Sequence, residues 1–65
     1  MKVLINGQEK EIAADTTLRG LLEGLQLRPE KVAIELNRRL VRTAQYDQAL
    51  KHGDQIEVVT FVGGG

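Results

Sequence analysis

Apolar and polar residues alternate along this chain with two different periods, and the switches between them divide it into elements. Lys2-Val3-Leu4-Ile5 is a short apolar run with β-branched residues at 3 and 5, which reads as a strand. Asn6-Gly7 follows at once and tolerates the two positive φ angles of a type I′ hairpin turn. The return strand is expected from Gln8 to Ala14, mostly polar and so suited to a sheet edge. The period then changes: Leu18, Leu21, Leu22 and Leu25 fall at i, i+3, i+4 and i+7 behind the N-cap candidates Asp15, Thr16 and Thr17, which predicts an amphipathic helix. Gly20 and Gly24 fall on the opposite face and weaken it, either because packing tolerates them or because a partner approaches there. Pro29 limits how far the helix continues.

The two-residue period returns in Val32-Ala33-Ile34-Glu35-Leu36, a third strand with 32, 34 and 36 inward. Asn37-Arg38 reads as a tight turn, Leu40-Val41 as a fourth strand, and Thr43 to Leu50 as a helical turn or ordered loop. After the turn His52-Gly53-Asp54, residues Gln55 to Val62 form the longest β-favouring stretch, ending against Gly63-Gly64-Gly65. The order is ββαββ. The first and last strands are the most apolar and belong in the middle of the sheet, under the leucine stripe. The expected fold is α+β: a ubiquitin-like β-grasp, one mixed sheet on one main helix, occupying residues 1–65 as a single domain with 62–65 as an exposed tail.

Composition narrows what such a domain does. At 65 residues the chain has no room for a deep cleft between lobes. It has no cysteine and no serine, and His52 is its only imidazole, so disulfides, a converging metal-ligand set and the commonest nucleophiles are all missing. An enzyme is therefore not expected. Nine basic and nine acidic residues cancel, and Tyr46 and Phe61 are the only aromatics, which argues against nucleic-acid binding by bulk charge or base stacking. No apolar run approaches the length of a membrane span. Absence of cysteine and of a signal-like start fits a cytoplasmic protein, monomeric when free. Arg38, Arg39 and Arg42 form a basic cluster, explained by a solvated hairpin or by docking to an acidic patch. If Ile56, Val58, Thr60 and Val62 share one face of the last strand, Phe61 lies on the other, as an interface anchor or as an extension of the core. The triglycine is by itself a frayed end; directly after a strand, it also projects a strip without side chains, about 10 Å long, suited to a narrow channel.

Across essentially all 65 residues the chain resembles the ThiS-type sulfur carriers of thiamine biosynthesis. The resemblance is carried by Ile5-Asn6-Gly7, Thr17-Leu18-x-x-Leu21-Leu22, Val32-Ala33-Ile34-x-Leu36-Asn37 with Leu40-Val41, and above all Gly53-Asp54-x-Ile56-Glu57-Val58-Val59-x-Phe61-Val62-Gly63-Gly64-Gly65. Thr43 departs from it, where many relatives carry proline in a loop. The resemblance implies a protein cosubstrate, with no cofactor of its own. An E1-like adenylyltransferase using ATP and Mg²⁺ would adenylylate Gly65. A cysteine desulfurase or sulfurtransferase would supply sulfur for a thiocarboxylate there, and thiazole synthase would receive it. Gly63 and Gly64 would thread the partner's site, and Phe61 and Val62 would dock the tail. The alternatives are the small subunit of molybdopterin synthase, with the same chemistry, a non-catalytic β-grasp interaction module, and, less in keeping with the chain, a protein modifier conjugated to lysines.

Overall fold

A computed structural model describes residues 1–61 of the chain. Five strands and one helix follow in the order β1 (Lys2–Ile5), β2 (Gln8–Glu11), α1 (Leu18–Gly24), β3 (Val32–Leu36), β4 (Arg39–Val41) and β5 (Gln55–Thr60), with short 3₁₀ turns at Pro29–Lys31 and Thr43–Gln45. The sheet order is β2-β1-β5-β3-β4. β1 and β5 run parallel, and the other three pairings are antiparallel. The polar β2 is an edge, and the apolar β1 and β5 are interior, as the hydrophobic pattern requires.

Both hairpins turn on left-handed pairs. Asn6 and Gly7 have φ of 49° and 83°, and Asn37 and Arg38 have 52° and 71°, the two positive angles that match the twist of the flanking strands. Leu36 therefore pairs with Arg39, and β4 begins one residue earlier than Leu40. β2 is shorter than the expected Gln8–Ala14. Its register with β1 ends at Lys2 opposite Glu11, and a turn in which Thr16 N–H and Oγ1 both donate to the Ala13 carbonyl redirects the chain. β5 is likewise shorter than expected, because its partner β3 begins at Val32, opposite Thr60. Phe61 N–H adds one more bond, to the Lys31 carbonyl, and Val62 lies outside the described residues.

Thr17 caps α1: its extended backbone lets the hydroxyl accept from Gly20 N–H at 3.0 Å, satisfying a donor that the helix itself leaves unpaired. The helix stops well before Pro29. Gln26 takes a left-handed φ of 60°, its N–H reaches the Glu23 carbonyl, and Leu27 N–H reaches Leu22 O at 2.9 Å. This is a Schellman termination with glutamine where glycine is usual. Seven residues are too few for a helix to persist alone, so α1 exists because Leu18, Leu21 and Leu22 are buried against Val3, Val32, Ile34 and Ile56 of the sheet, with Leu25 partly buried beside them.

The loop after β4 contributes more than the sequence suggested. Tyr46 and Leu50 join the buried core. The loop is stitched to the start of the helix by Arg19 N–H to the Tyr46 carbonyl at 2.9 Å and Leu50 N–H to the Thr16 carbonyl at 2.7 Å.

Candidate functional site

The face of the sheet turned away from α1 carries the side chains that the core does not use. Alternation along β5 sends Ile56 and Val58 toward the helix and Glu57, Val59 and Phe61 to the other side. Glu57 stands opposite Glu35, Glu35 opposite Leu40, and Val59 opposite Ala33, so these residues share the outer face. Three of its side chains are large, apolar and open: Leu40 is 70% exposed, Val59 60% and Phe61 58%. Ala33, Glu35, Leu40, Glu57 and Val59, with Asn6, line a shallow depression of about 260 Å³. Of the two readings of Phe61, the core extension fails: the ring is more than half exposed and lies outside the buried core. Leu40 was missed by the sequence reading, because a short strand with one inward residue leaves no periodic signal. Its neighbour on the outer face is the like-charged pair Glu35 and Glu57, an arrangement unfavourable in a free sheet.

Phe61 is the last described residue of this face. Val62, Gly63, Gly64 and Gly65, named above as docking and tail residues, lie outside the described residues. β5 leads directly to them.

The remaining candidates fall elsewhere. His52 is exposed, and its Nδ1 accepts from Lys2 N–H at 3.1 Å, so it ties a loop to the start of β1. Among the described residues, no three histidine, cysteine, aspartate or glutamate side chains converge as a metal site. Arg38, Arg39 and Arg42 are all exposed along and just after the β3–β4 hairpin. The ion pairs of the described residues are made by other groups: Arg19 Nε with Asp47 at 2.7 Å, the Met1 ammonium with Glu11 at 2.9 Å, and Arg28 with Glu30 at 3.9 Å. The hydrogen bond from Arg19 holds the Asp47 carboxyl below the ordinary aspartate value, and the bond from the Met1 ammonium does the same for Glu11. No helix among the described residues is long and apolar enough to cross a membrane.

A five-stranded mixed sheet gripping one helix, with an apolar outer face beside the exit of its last strand, defines a small ubiquitin-like β-grasp protein. The crystal structure of the thiamine biosynthesis protein ThiS from Geobacter metallireducens superposes with a TM-score of 0.82 at 30% identity, covering 100% of both chains. The family model described as "ThiS family" matches residues 3–65, and the chain belongs to that family. The sulfur carrier protein ThiS of Escherichia coli K12 is 35% identical over 100% of both sequences. A thiazole synthase of Magnetococcus marinus is 50% identical over 100% of this chain, which spans only 20% of the length of that protein. A second thiazole synthase, from Paramagnetospirillum magneticum, is likewise matched over 20% of its length.

Proposed function

We propose that this protein is a sulfur carrier for thiazole formation, a cosubstrate that partner enzymes act on through its C-terminal glycine. The match to the ThiS family from residue 3 through residue 65 carries the reading, since it spans the domain and the glycine run together. The chemistry is consistent with a chain that holds neither cysteine nor serine. A carboxylate is a poor acyl donor, because its leaving group would be oxide. In the proposed cycle, a Gly65 carboxylate oxygen attacks the α-phosphorus of ATP, held with Mg²⁺ by an E1-like adenylyltransferase, and pyrophosphate leaves. The terminal persulfide sulfur of a desulfurase or sulfurtransferase cysteine then attacks the acyl carbon and AMP leaves. The resulting acyl disulfide takes two electrons from a thiol pair. This cleaves its S–S bond, releases the donor cysteine as a thiolate and leaves the thiocarboxylate on Gly65. Thiazole synthase is the proposed acceptor, supported by the likeness of this chain to a fifth of two proteins bearing that name.

In this reading Gly63 and Gly64 supply reach without side chains, while Phe61 and Val62 seat the tail and the outer face of the sheet docks the domain. The test is intact mass after incubation with the adenylyltransferase, ATP, a persulfide donor and a thiol reductant. The wild-type chain gains the mass difference between sulfur and oxygen. Deleting Gly64 and Gly65 withdraws the carboxylate by ~7 Å. A displacement of even ~1 Å costs roughly 100-fold where reaction depends on positioning, so the truncated chain should not be loaded. Loading of the truncated chain at the wild-type rate would refute the assignment of Gly65.

A further inference from the structure

β5 is gripped from both sides by the asparagines at the two hairpin tips. On the β3 side, Asn37 N–H donates to the Gln55 carbonyl at 2.7 Å, and its Oδ1 accepts from Gln55 N–H at 2.9 Å. On the β1 side the strand ladder is short: only Leu4 with Gln55 and Ile5 with Ile56 are in register. The chain then turns away at Asn6, whose N–H makes the last backbone bond, to Ile56 O at 2.8 Å. One step further along β5, the side chain of Asn6 takes the place of the missing strand. Its Oδ1 accepts from Val58 N–H at 2.7 Å, and its Nδ2 donates to Val58 O at 3.2 Å. A primary amide presents one acceptor and one donor side by side, the same pair that a neighbouring peptide group presents to a strand. Asn6 is exposed, so its amide belongs to no core packing.

We infer that Asn6 is a positioning residue for the reactive end of the chain. It extends the β1 edge past its last residue, holds Val58 from that side, and so fixes the point and direction from which Phe61 and residues 62–65 set out. The inference rests on the carrier reading of the tail. Without the clamp, β5 beyond Ile56 is held by β3 alone. The strand end then pivots on one ladder, and the carboxylate is offered to the partner from a wider range of origins. Slack of this kind acts on the chemical step more than on docking, because Asn6 only borders the depression of the docking face and its large apolar side chains, Leu40, Val59 and Phe61, are all kept.

Two substitutions separate the clamp from the turn. Asn6→Gly keeps a residue at ease with φ of 49° and removes the amide. Asn6→Asp also suits the turn and keeps an acceptor for Val58 N–H while losing the donor to Val58 O. Amide hydrogen exchange at Val58 and steady-state pyrophosphate release with the adenylyltransferase and ATP are measured for both and for the wild type. Exchange at Val58 should accelerate in Asn6→Gly and stay close to wild type in Asn6→Asp. The kcat for adenylylation should fall roughly tenfold or more in Asn6→Gly with KM within about twofold, and Asn6→Asp should recover most of it. Unchanged Val58 exchange in Asn6→Gly would show that the clamp is not what holds the strand, and unchanged kcat alongside faster exchange would show that it does not position the tail. Either result overturns the inference while the wild type is still loaded. A wild-type chain that is itself not adenylylated overturns the carrier reading, and the inference falls with it.

Discussion

Truncating Leu22 tests the packing on which the whole fold depends. Leu22 is 0% exposed, and the neighbouring core residues Leu18, Ile34, Ile56 and Val3 are themselves almost completely buried, so little slack remains to close over a lost isobutyl group. Leu→Ala changes at such sites cost ~2–5 kcal/mol, the upper part of the range applying where the surroundings do not collapse. We therefore expect about 3–5 kcal/mol for Leu22→Ala. At ~0.05–0.15 kcal/mol per residue, a chain of 65 residues has only about 3–10 kcal/mol in total. The variant should be close to half unfolded at one end of that range and clearly destabilised at the other. Urea denaturation followed by far-UV circular dichroism, with the fluorescence of the buried Tyr46 as a second probe, gives the difference from the midpoint shift at constant m. Leu40→Ala is the control: the same atoms are removed from a side chain 70% exposed, so the change should stay within about 0.5 kcal/mol. Equal midpoints for wild type and Leu22→Ala, or an equal loss from both variants, would refute the assignment of the two sheet faces.

Gly24→Ala should stabilise the chain by about 0.5 kcal/mol, because nothing lies within 4 Å of the added Cβ and the residue lies in the last turn of the helix; an unchanged or lower melting temperature would contradict this. Gln26→Gly should add about 1 kcal/mol by relieving the left-handed φ of 60° in the helix termination, read as a higher urea midpoint. Asp47, depressed by its hydrogen bond from Arg19, contributes stability that is present above the ordinary aspartate value near 3.8 and is lost as pH falls through its lower folded value. Its carboxyl resonance should titrate below that value in the wild type and move up in Arg19→Gln; the same midpoint in both would remove the pair from the account.

The elements written in period and turn chemistry were legible. Asn6-Gly7 and Asn37-Arg38 marked both hairpins, the leucine stripe marked the helix, and alternation in 56–61 put Phe61 on the face away from Ile56 while leaving both an exposed and a core role open. What escaped was set by contacts distant in sequence. Tyr46 and Leu50 sit in a polar segment with no sustained period, and they are core residues only because the loop is bonded back to Thr16 and Arg19. Strand ends depend on where the partner strand stops, which explains why β2 and β5 were both drawn too long. Pro29 set only an outer limit for the helix, which ends earlier, at a glutamine in a conformation that glutamine rarely signals. The clamp of Asn6 on Val58 joins residues 52 apart, and asparagine in an Asn-Gly turn is already accounted for by the turn. The chemistry proposed for the glycine end comes only from the family resemblance, since three glycines carry no functional group besides the backbone.

Phe61→Ala separates the docking role of the outer face from its part in folding. The ring is 58% exposed, so its removal gives up little buried area, and the Phe61 N–H bond to the Lys31 carbonyl is made by the backbone and survives the substitution. Stability should therefore change by less than about 1 kcal/mol. Binding is a different matter under the proposed function. Leu40, Val59 and Phe61 are the large apolar groups open on this face, and the last of them stands at the exit toward the tail. Truncating an aromatic anchor commonly costs ~2 kcal/mol or more, which is about 30-fold in Kd. The loss should appear mainly as faster dissociation from the adenylyltransferase, because a side chain without charge does not steer encounter. Surface plasmon resonance with the immobilised partner, beside a urea melt of the free protein, reads both quantities. An unchanged Kd together with a large fall in the urea midpoint would place the ring in the core and leave Leu40 and Val59 to carry the docking face alone.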